Sequence, residues 1–300
     1  MKQLTAQDLY GGMVALATPM RADGSIHYEQ WDALIQWHLR SGTRALIVAG
    51  TTGESAMLST DEFKQLIERA AKLCSGTETA IIAGTGAIQP DKSIELTHIA
   101  ADSGAQAALV VTPYYIRIGQ QALITHYRHI ADAASIPLIL YNVPSRTTLD
   151  LTASTSLKLA QHENIIGIKE AKPDMQRIQK LATHGADEFV VLSGDDDTFL
   201  NAMQVGARGV ISVASNVRPQ AINRICHTQL LGDAPAADKL NQELAHLYQL
   251  LFVEPNPIPV KWLLHQAGII DNGIRAPLQW LDEPKISWKN ELNKIKQEYQ

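Results

Sequence analysis

The sequence predicts a (β/α)₈ barrel, the TIM-barrel fold of the α/β class, followed by helices at the C-terminal end. Short apolar runs typical of buried strands recur as far as Val213, and a helical pattern follows each of them. The repeat comes about eight times, at roughly 25 to 30 residues per unit, which is the spacing of such barrels. A doubly wound parallel sheet is the alternative. It is disfavoured because no Gly-x-Gly-x-x-Gly pattern follows the first strand.

The strand predictions depend on apolar runs that are too short for helices and are closed by turn residues. They cover residues 12–19, 45–49, 80–84, 107–112, 137–141, 165–169, 189–193 and 209–213.

Helices are predicted where apolar residues recur every three or four positions, as Trp31, Leu34 and Ile35 do. Thr60 is predicted to cap one of them. Those of the barrel cover residues 28–39, 60–72, 91–102, 121–134, 153–161, 175–183 and 198–205. After residue 213 only helices follow, predicted at 219–230, 237–251, 257–266 and 288–299. We therefore divide the chain into a barrel domain, residues 1–225, and a C-terminal helical domain, residues 226–300.

Composition excludes several classes of function. The net charge of −5 provides no basic surface for nucleic acid or an anionic membrane. Cys74 and Cys226 are the only cysteines, and each lies in a helix-like stretch, so a disulfide framework or thiolate metal site is not expected. No signal-peptide pattern or membrane-spanning apolar run is present. A cytoplasmic location is expected.

Lys169 ends the apolar run of residues 165–168. Because strand side chains alternate, Ile166 and Ile168 should share one face with Glu170, and Lys169 should point to the other face, into the barrel. Burying an ammonium is costly and lowers its pKa, which makes the neutral amine available to form a Schiff base with a carbonyl. The alternative is an exposed lysine just beyond a strand end.

Other polar residues follow neighbouring strands and should meet Lys169 at the C-terminal mouth of the barrel. Tyr141 supplies a phenol that could move protons. A glycine-flanked turn with Thr51 and Thr52 could hold one carboxylate, and Arg146 could hold another. The set also includes Tyr114, Tyr115, Gly194 and Asp195. The residues therefore indicate a keto acid bound as a Schiff base, and a partner with an anionic group.

Simpler interpretations remain for several of these residues. Residues 50–55 could be only a tight turn, and they are not a Walker loop. Tyr114 and Tyr115 could be packing aromatics, and Arg146 a solvated loop residue. Residues 195–197, three aspartates, are interpreted as a helix N-cap with first-turn carboxylates rather than as a metal site. Nearly all histidines named as candidates fall in or beside predicted outer helices, which argues against a metal-dependent aldolase.

Seven stretches together resemble the dihydrodipicolinate synthase family, within the superfamily of class I pyruvate-dependent aldolases and lyases. They run in the family's order: GTTGES (50–55), VTPYY (111–115), YNVPSRT (141–147), IIGIKEA (165–171), LSGDD (192–196), GVISVASN (209–216) and LFVEPNPIPVK (251–261). The resemblance implies a homotetramer, a dimer of dimers. It also implies condensation of pyruvate with L-aspartate 4-semialdehyde in lysine and diaminopimelate biosynthesis, without a metal or organic cofactor.

The resemblance also implies roles for individual residues. Lys169 matches the Schiff-base lysine. The proton relay matches Tyr141, Thr51 and Tyr115, of which Tyr115 would reach in from a neighbouring subunit.

Four further positions match the substrate contacts of the family. Thr52 matches a residue that binds the pyruvate carboxylate, and Arg146 matches one that binds the carboxylate of the semialdehyde. Gly194 and Ile211 match backbone contacts to substrate.

Two alternatives remain for the function. Sialic acid lyase relatives resemble the chain at the lysine and the preceding tyrosine, but they are not expected to carry Arg146, because their second substrate is a sugar aldehyde. A catalytically inactive barrel that binds 2-oxo acids is the other alternative.

Regulation is the last expectation from the sequence. Lysine-inhibited relatives bind lysine near Ser55, Ala56 and Tyr114, with polar residues where this chain has Thr60, Phe63, Ile88 and Lys92. Lys92 would repel the ligand's ammonium, so weak or absent feedback inhibition by lysine is predicted.

Overall fold

The computed structural model describes residues 3–185, 188–284 and 286–300. Eight parallel strands pair in chain order, and the first also pairs with the last, so the sheet closes into a barrel. This confirms the predicted fold class. The strands are β1 (Gly11–Ala15), β2 (Ala45–Val48), β3 (Ala80–Gly84), β4 (Ala107–Val111), β5 (Leu138–Asn142), β6 (Ile165–Glu170), β7 (Val190–Ser193) and β8 (Gly209–Ser212).

Helices lie between the strands, and further helices follow the barrel. In chain order they are α1 (Tyr28–Arg40), α2 (Thr60–Leu73), α3 (Pro90–Asp102), α4 (Gln120–Ala133), α5 (Pro144–Thr147), α6 (Ala153–Leu159), α7 (Met175–His184), α8 (Phe199–Gln204), α9 (Pro219–Leu230), α10 (Ala234–Gln242), α11 (Ala245–Leu251), α12 (Ile258–Gln266) and α13 (Lys289–Tyr299). Short 3₁₀ helices occupy Ala6–Asp8, Ser55–Met57 and Ala214–Asn216. Within the described ranges, no helix combines the length and apolar character needed to cross a membrane.

Two apolar cores follow from the alternation of strand side chains. One lies inside the barrel and includes Met13, Ile82 and Leu109. The other lies between the strands and the outer helices, where neighbouring strand residues such as Ile81 and Val110 pack. The barrel interior is thus filled with side chains below the C-terminal mouth, which leaves the mouth as the place for a site.

Strict alternation fails at the start of β6. The register between β5 and β6 shifts, so that Ile165 pairs with Leu138 and Gly167 pairs with Ile139. The unpaired Ile166 packs inside the barrel, whereas Ile168 packs outside. The prediction that both isoleucines share one face is therefore wrong, because Ile166 is the extra residue of a bulge and the alternation of side chains breaks there.

Two helix predictions need correction. The single helix expected at 237–251 is two helices, because α10 ends at Gln242 and α11 begins after Leu244, which is itself buried. Ser59, not Thr60, caps α2. Its hydroxyl accepts from Glu62 N at 3.2 Å, while the Glu62 carboxylate accepts from Ser59 N at 2.9 Å, which is a capping box.

The predicted boundary after residue 225 falls within α9, which runs from Pro219 to Leu230. The division into a barrel domain and a C-terminal helical domain stays a prediction.

Candidate active site

An open cavity of about 700 Å³ lies at the C-terminal mouth of the barrel. Most of the residues predicted from the strand ends line it: Thr51, Thr52, Tyr141, Arg146, Lys169, Gly194 and Asp195. Ile211 is fully buried on β8, inside the barrel. Tyr115 is not among the lining residues. The structure therefore brings together residues that lie at or just after the C-terminal ends of β2, β5, β6 and β7.

Lys169 points into this cavity beside Tyr141. The two residues are register partners on the neighbouring strands β5 and β6. The Lys169 amine lies 4.5 Å from the centroid of the Tyr141 ring, and the two side chains are 5% and 8% exposed. A Cβ on Gly194 would lie 2.8 Å from Lys169 Cε, so a larger residue at this position would displace the lysine side chain. The inward orientation expected of Lys169 is confirmed.

Glu170 anchors the strand end that carries Lys169. It points away from the cavity and is 1% exposed. Its carboxylate accepts hydrogen bonds from Asn142 Nδ2 at 2.8 Å, Lys172 N at 2.9 Å and Arg177 Nε at 2.6 Å. Burial raises the pKa of Glu170, although Arg177 opposes that shift. These contacts fix the C-terminal end of β6 and hence the direction of Lys169.

The segment from Gly50 to Glu54 forms the tight turn that its glycines suggested. Gly53 N donates to Gly50 O, and Glu54 N donates to Thr51 O, each at 3.1 Å. Glu54 itself has a φ of 59°, in the left-handed region. The turn presents Thr51 and the buried Thr52 to the cavity.

Residues from the C-terminal segment hold this turn in place. Asn256 Nδ2 donates to Thr52 Oγ1 at 3.0 Å. Lys261 on α12 forms a buried ion pair with Glu54, and Arg275 N donates to the second Glu54 oxygen at 2.9 Å. None of these contacts was predicted. The one local signal was a lysine inside an otherwise apolar helix, at residues 258–264.

Arg146 lies at the rim of the cavity, on the short helix α5. Its Nη2 donates to the backbone oxygen of Asn256 at 3.0 Å, and the residue is exposed. This contact leaves the rest of the guanidinium to face the cavity that Arg146 lines. Arg146 is therefore placed to receive an anionic group at the entrance.

The three aspartates after β7 do not cap a helix as predicted. The N-cap of α8 is Thr198. Asp195 instead accepts from Thr198 N and Oγ1, at 3.2 and 2.5 Å. Asp196 turns inward and accepts from Val213 N at 3.0 Å and Ala214 N at 2.8 Å. Burial raises the pKa of Asp196 to about 6. The side chains of Asp195 and Asp196 therefore point in different directions, and Asp196 joins this loop to the end of β8.

Tyr115 lies outside the cavity and is 92% exposed. Its φ of 71° is in the left-handed region, which is rare for a bulky residue. Tyr114 and Ile116 on either side of it are also exposed. Within this chain, the structure does not bring Tyr115 to Lys169.

One further wall of the cavity comes from residues 252–256, which lie between α11 and α12. Sequence reasoning treated this proline-rich run as a separator between helices and as part of a family motif. Across the three described ranges, no three His, Cys, Asp or Glu side chains come together as potential metal ligands.

Comparison with known proteins gives one consistent result. The sequence model of the Dihydrodipicolinate synthetase family matches residues 8–297. The 4-hydroxy-tetrahydrodipicolinate synthase of Stutzerimonas stutzeri is 45% identical over 273 residues, which cover 91% of this chain and 93% of that protein.

Two solved structures share the whole fold. One is the chloride-inhibited dihydrodipicolinate synthase from Acinetobacter baumannii in complex with pyruvate, with a TM-score of 0.91, 42% identity and coverage of 97% of this chain and 98% of that one. The other is a monomeric dihydrodipicolinate synthase variant, with a TM-score of 0.91, 34% identity and 98% coverage of both chains.

Proposed function

The chain belongs to the dihydrodipicolinate synthetase family, and on this premise we propose that it is a 4-hydroxy-tetrahydrodipicolinate synthase. This lyase condenses pyruvate with L-aspartate 4-semialdehyde, a step of lysine and diaminopimelate biosynthesis. The observation that carries the proposal is the buried Lys169 amine, 4.5 Å from the Tyr141 ring at the mouth of the barrel. Arg146 at the rim adds a site for the carboxylate of the second substrate.

The reaction begins with attack of the Lys169 amine nitrogen on the ketone carbon of pyruvate. Protonation of the resulting carbinolamine oxygen and loss of water give an imine. Loss of a methyl proton then gives an enamine, whose carbon attacks the aldehyde carbon of the second substrate, and the aldehyde oxygen takes up a proton to become a hydroxyl. The amino group of that substrate finally displaces Lys169 from the imine carbon, which closes the ring and releases the enzyme. The covalent link to Lys169 serves as the electron sink, so this mechanism uses no metal or organic cofactor.

The remaining residues move protons and hold the substrates. Tyr141, in contact with Lys169, passes protons to and from the carbinolamine oxygen, and Thr51 relays them. Thr52 binds the pyruvate carboxylate, and Arg146 binds that of the semialdehyde. Backbone groups of Gly194 and Ile211 complete the substrate contacts.

Tyr115 completes the relay from a neighbouring molecule of a homotetramer arranged as a dimer of dimers. Its exposure, with Tyr114 and Ile116 beside it, supports this assembly, because exposed apolar patches mark interaction surfaces. We assign the enzyme to the cytoplasm on the basis of its biosynthetic role. Sedimentation at several protein concentrations tests the assembly, and a monomer that turns over at full rate would contradict the role of Tyr115.

Borohydride reduction in the presence of pyruvate tests the proposed chemistry. The imine should be trapped as a stable adduct on the peptide that contains Lys169, and Lys169→Ala should give no adduct and lose most turnover. Absence of an adduct in the wild-type protein would favour an inactive barrel that binds 2-oxo acids.

Steady-state assays with aspartate semialdehyde and with sugar aldehydes then identify the second substrate. Turnover of the sugar aldehyde alone would favour a sialic acid lyase-like enzyme. Arg146 favours the semialdehyde, because its guanidinium matches a carboxylate rather than a neutral sugar.

A further inference from the structure

Asn256 contacts both carboxylate-binding side chains of the proposed site through separate atoms. Its side-chain amide Nδ2 lies 3.0 Å from Thr52 Oγ1. Its backbone oxygen accepts from Arg146 Nη2, also at 3.0 Å. The residue is buried in the segment between α11 and α12, and it lines the cavity with Thr52 and Arg146. One residue from the C-terminal helical segment therefore supports two side chains of the barrel mouth.

The side-chain contact determines whether the Thr52 hydroxyl donates or accepts its next hydrogen bond. A hydroxyl has one proton to donate and two lone pairs that accept. Because Asn256 donates its amide N–H to Thr52 Oγ1, one lone pair is used and the Thr52 proton points elsewhere. Thr52 Oγ1 donates to no acceptor in the parts of the chain that the structure describes. The proton is thus available to an anion in the cavity.

We propose that Asn256 is a positioning residue that turns the Thr52 hydroxyl into a hydrogen-bond donor for the carboxylate of pyruvate. The inference rests on the proposed function and deepens it. Reversal of the Asn256 amide would direct the Thr52 proton at Asn256, and the substrate carboxylate would then face a lone pair. The Asn256 side chain therefore governs the binding of the first substrate. Its backbone oxygen, which no side-chain substitution removes, supports the site for the second.

The test is a double-mutant cycle on the pyruvate concentration that gives half-maximal borohydride-trapped adduct at Lys169. Asn256→Ala should raise this concentration about tenfold, the size expected for loss of one hydrogen bond to a charged group. Asn256→Asp, whose carboxylate only accepts, should raise this concentration further. Aspartate keeps the side-chain size, so this variant provides the test if the alanine variant does not fold. In a Thr52→Val background, Asn256→Ala should add less than about twofold, because the two residues act through one contact.

Two controls distinguish positioning from a general structural effect. The KM for the aldehyde should stay within about twofold in the Asn256 variants, since Arg146 keeps its backbone acceptor. Asn223 on α9 donates to Ser41 O at 2.8 Å, and neither residue lines the cavity. Asn223→Ala loses one such amide bond and should leave the pyruvate requirement unchanged.

An Asn256→Ala variant with the wild-type pyruvate requirement would overturn the inference. A full rise that persists in the Thr52→Val background would also overturn it, because Asn256 would then act independently of Thr52. Failure of the wild-type protein to form any adduct would instead overturn the proposed function, and the inference with it.

Discussion

Lys261 of α12 forms an ion pair with Glu54, the residue that ends the turn after β2, and neither side chain is exposed to solvent. Burial lowers the pKa of Lys261, although attraction to Glu54 opposes this shift. The second oxygen of Glu54 accepts from Arg275 N. Glu54 lies two residues after Thr52, so the helices that follow the barrel hold the turn that we assign to substrate binding.

Removal of one partner of this pair should be strongly destabilising. Lys261→Met leaves the Glu54 carboxylate buried without its counter-charge and should lower the free energy of unfolding by about 3–5 kcal/mol. Urea unfolding at neutral pH measures the change. Because the remaining charge causes most of the loss, the double variant Glu54→Gln, Lys261→Met should recover part of it.

Lys64 provides the matched control for Lys261→Met. It pairs with Glu68 at 3.7 Å on the surface of α2, with both side chains about half exposed. Lys64→Met should change the free energy of unfolding by less than about 1 kcal/mol. Equal effects of the two methionine substitutions would contradict a special role for the buried pair.

Arg146→Ala should separate the two substrates. Formation of the pyruvate adduct should remain largely intact, because Lys169 and Thr52 are unchanged. The value of kcat/KM for aspartate semialdehyde should fall about 10- to 100-fold, with loss of the charged hydrogen bonds to its carboxylate. Arg146→Lys should recover only part of the lost kcat/KM, since lysine lacks the planar group that binds a carboxylate with two hydrogen bonds. Equal loss of adduct formation and of aldehyde use would assign Arg146 another role.

Tyr141→Phe should keep the packing around Lys169 and remove the proton carrier. The ring that lies against the Lys169 amine is retained, so the fold and the direction of the lysine should not change. The rate of adduct formation with pyruvate should fall by about 100-fold or more, the usual contribution of a general acid–base group. Rapid mixing followed by borohydride quenching gives this rate. A rate near that of the wild-type protein would remove Tyr141 from the relay.

The buried carboxyl of Asp196 should make stability depend on pH. Its pKa is about 6 in the fold, against an ordinary value of 3.8. The native state therefore holds the proton more tightly than the unfolded state. The stabilisation from the tighter proton binding is complete below about pH 4 and is lost as the pH rises through 6. It amounts to on the order of 3 kcal/mol.

Asp196→Asn isolates this contribution. Asparagine keeps an oxygen for the N–H groups of Val213 and Ala214 but does not ionise. Relative to the wild-type protein, the variant should therefore gain stability between pH 4 and pH 7 in urea unfolding experiments. Asp197→Asn, at the exposed neighbouring position, should show no such gain. A constant difference in the free energy of unfolding between wild type and Asp196→Asn across this pH range would disprove the raised pKa of Asp196.

Lysine should inhibit the enzyme weakly or not at all. All residues considered for a lysine site except Ile88 border one cavity of about 550 Å³: Ser55, Ala56, Thr60, Phe63, Lys92 and Tyr114. Phe63 is buried and offers no polar atom, and the Lys92 ammonium adds a repelling charge, although Glu95 pairs with it at 2.7 Å. Activity measured with added lysine checks this. Inhibition at micromolar to low-millimolar lysine would contradict the prediction.

Regular local patterns allowed much of the barrel to be predicted. The bounds of β3 and α9 agree with the predicted residues, since an apolar run and a proline at the first helical position are local signals. The inward direction of Lys169 also followed from its position at a strand end. Ile166 was misplaced because a bulge depends on the neighbouring strand, which a single run of residues does not reveal.

The supports of the site were harder to predict than its reactive residues. Glu54 and Lys261 are 207 positions apart, and Thr52 and Asn256 are 204 positions apart. No periodicity or cap signal connects residues at such a separation. Asp196 likewise looked like a first-turn carboxylate, because its acceptor role depends on backbone groups of β8 and the residues after it.

The last strand of the barrel ends at Ser212, yet Asn256 and Lys261 come more than forty positions later. A chain emerges from the ribosome with its amino end first, so every strand emerges before the residues that hold the Thr51–Thr52 turn in place. We expect nascent chains stalled just before Asn256 to bind pyruvate far more weakly than released ones, which adduct trapping on stalled ribosomes would reveal. The ability to bind pyruvate is then acquired late in translation, when most of the chain has already been synthesised.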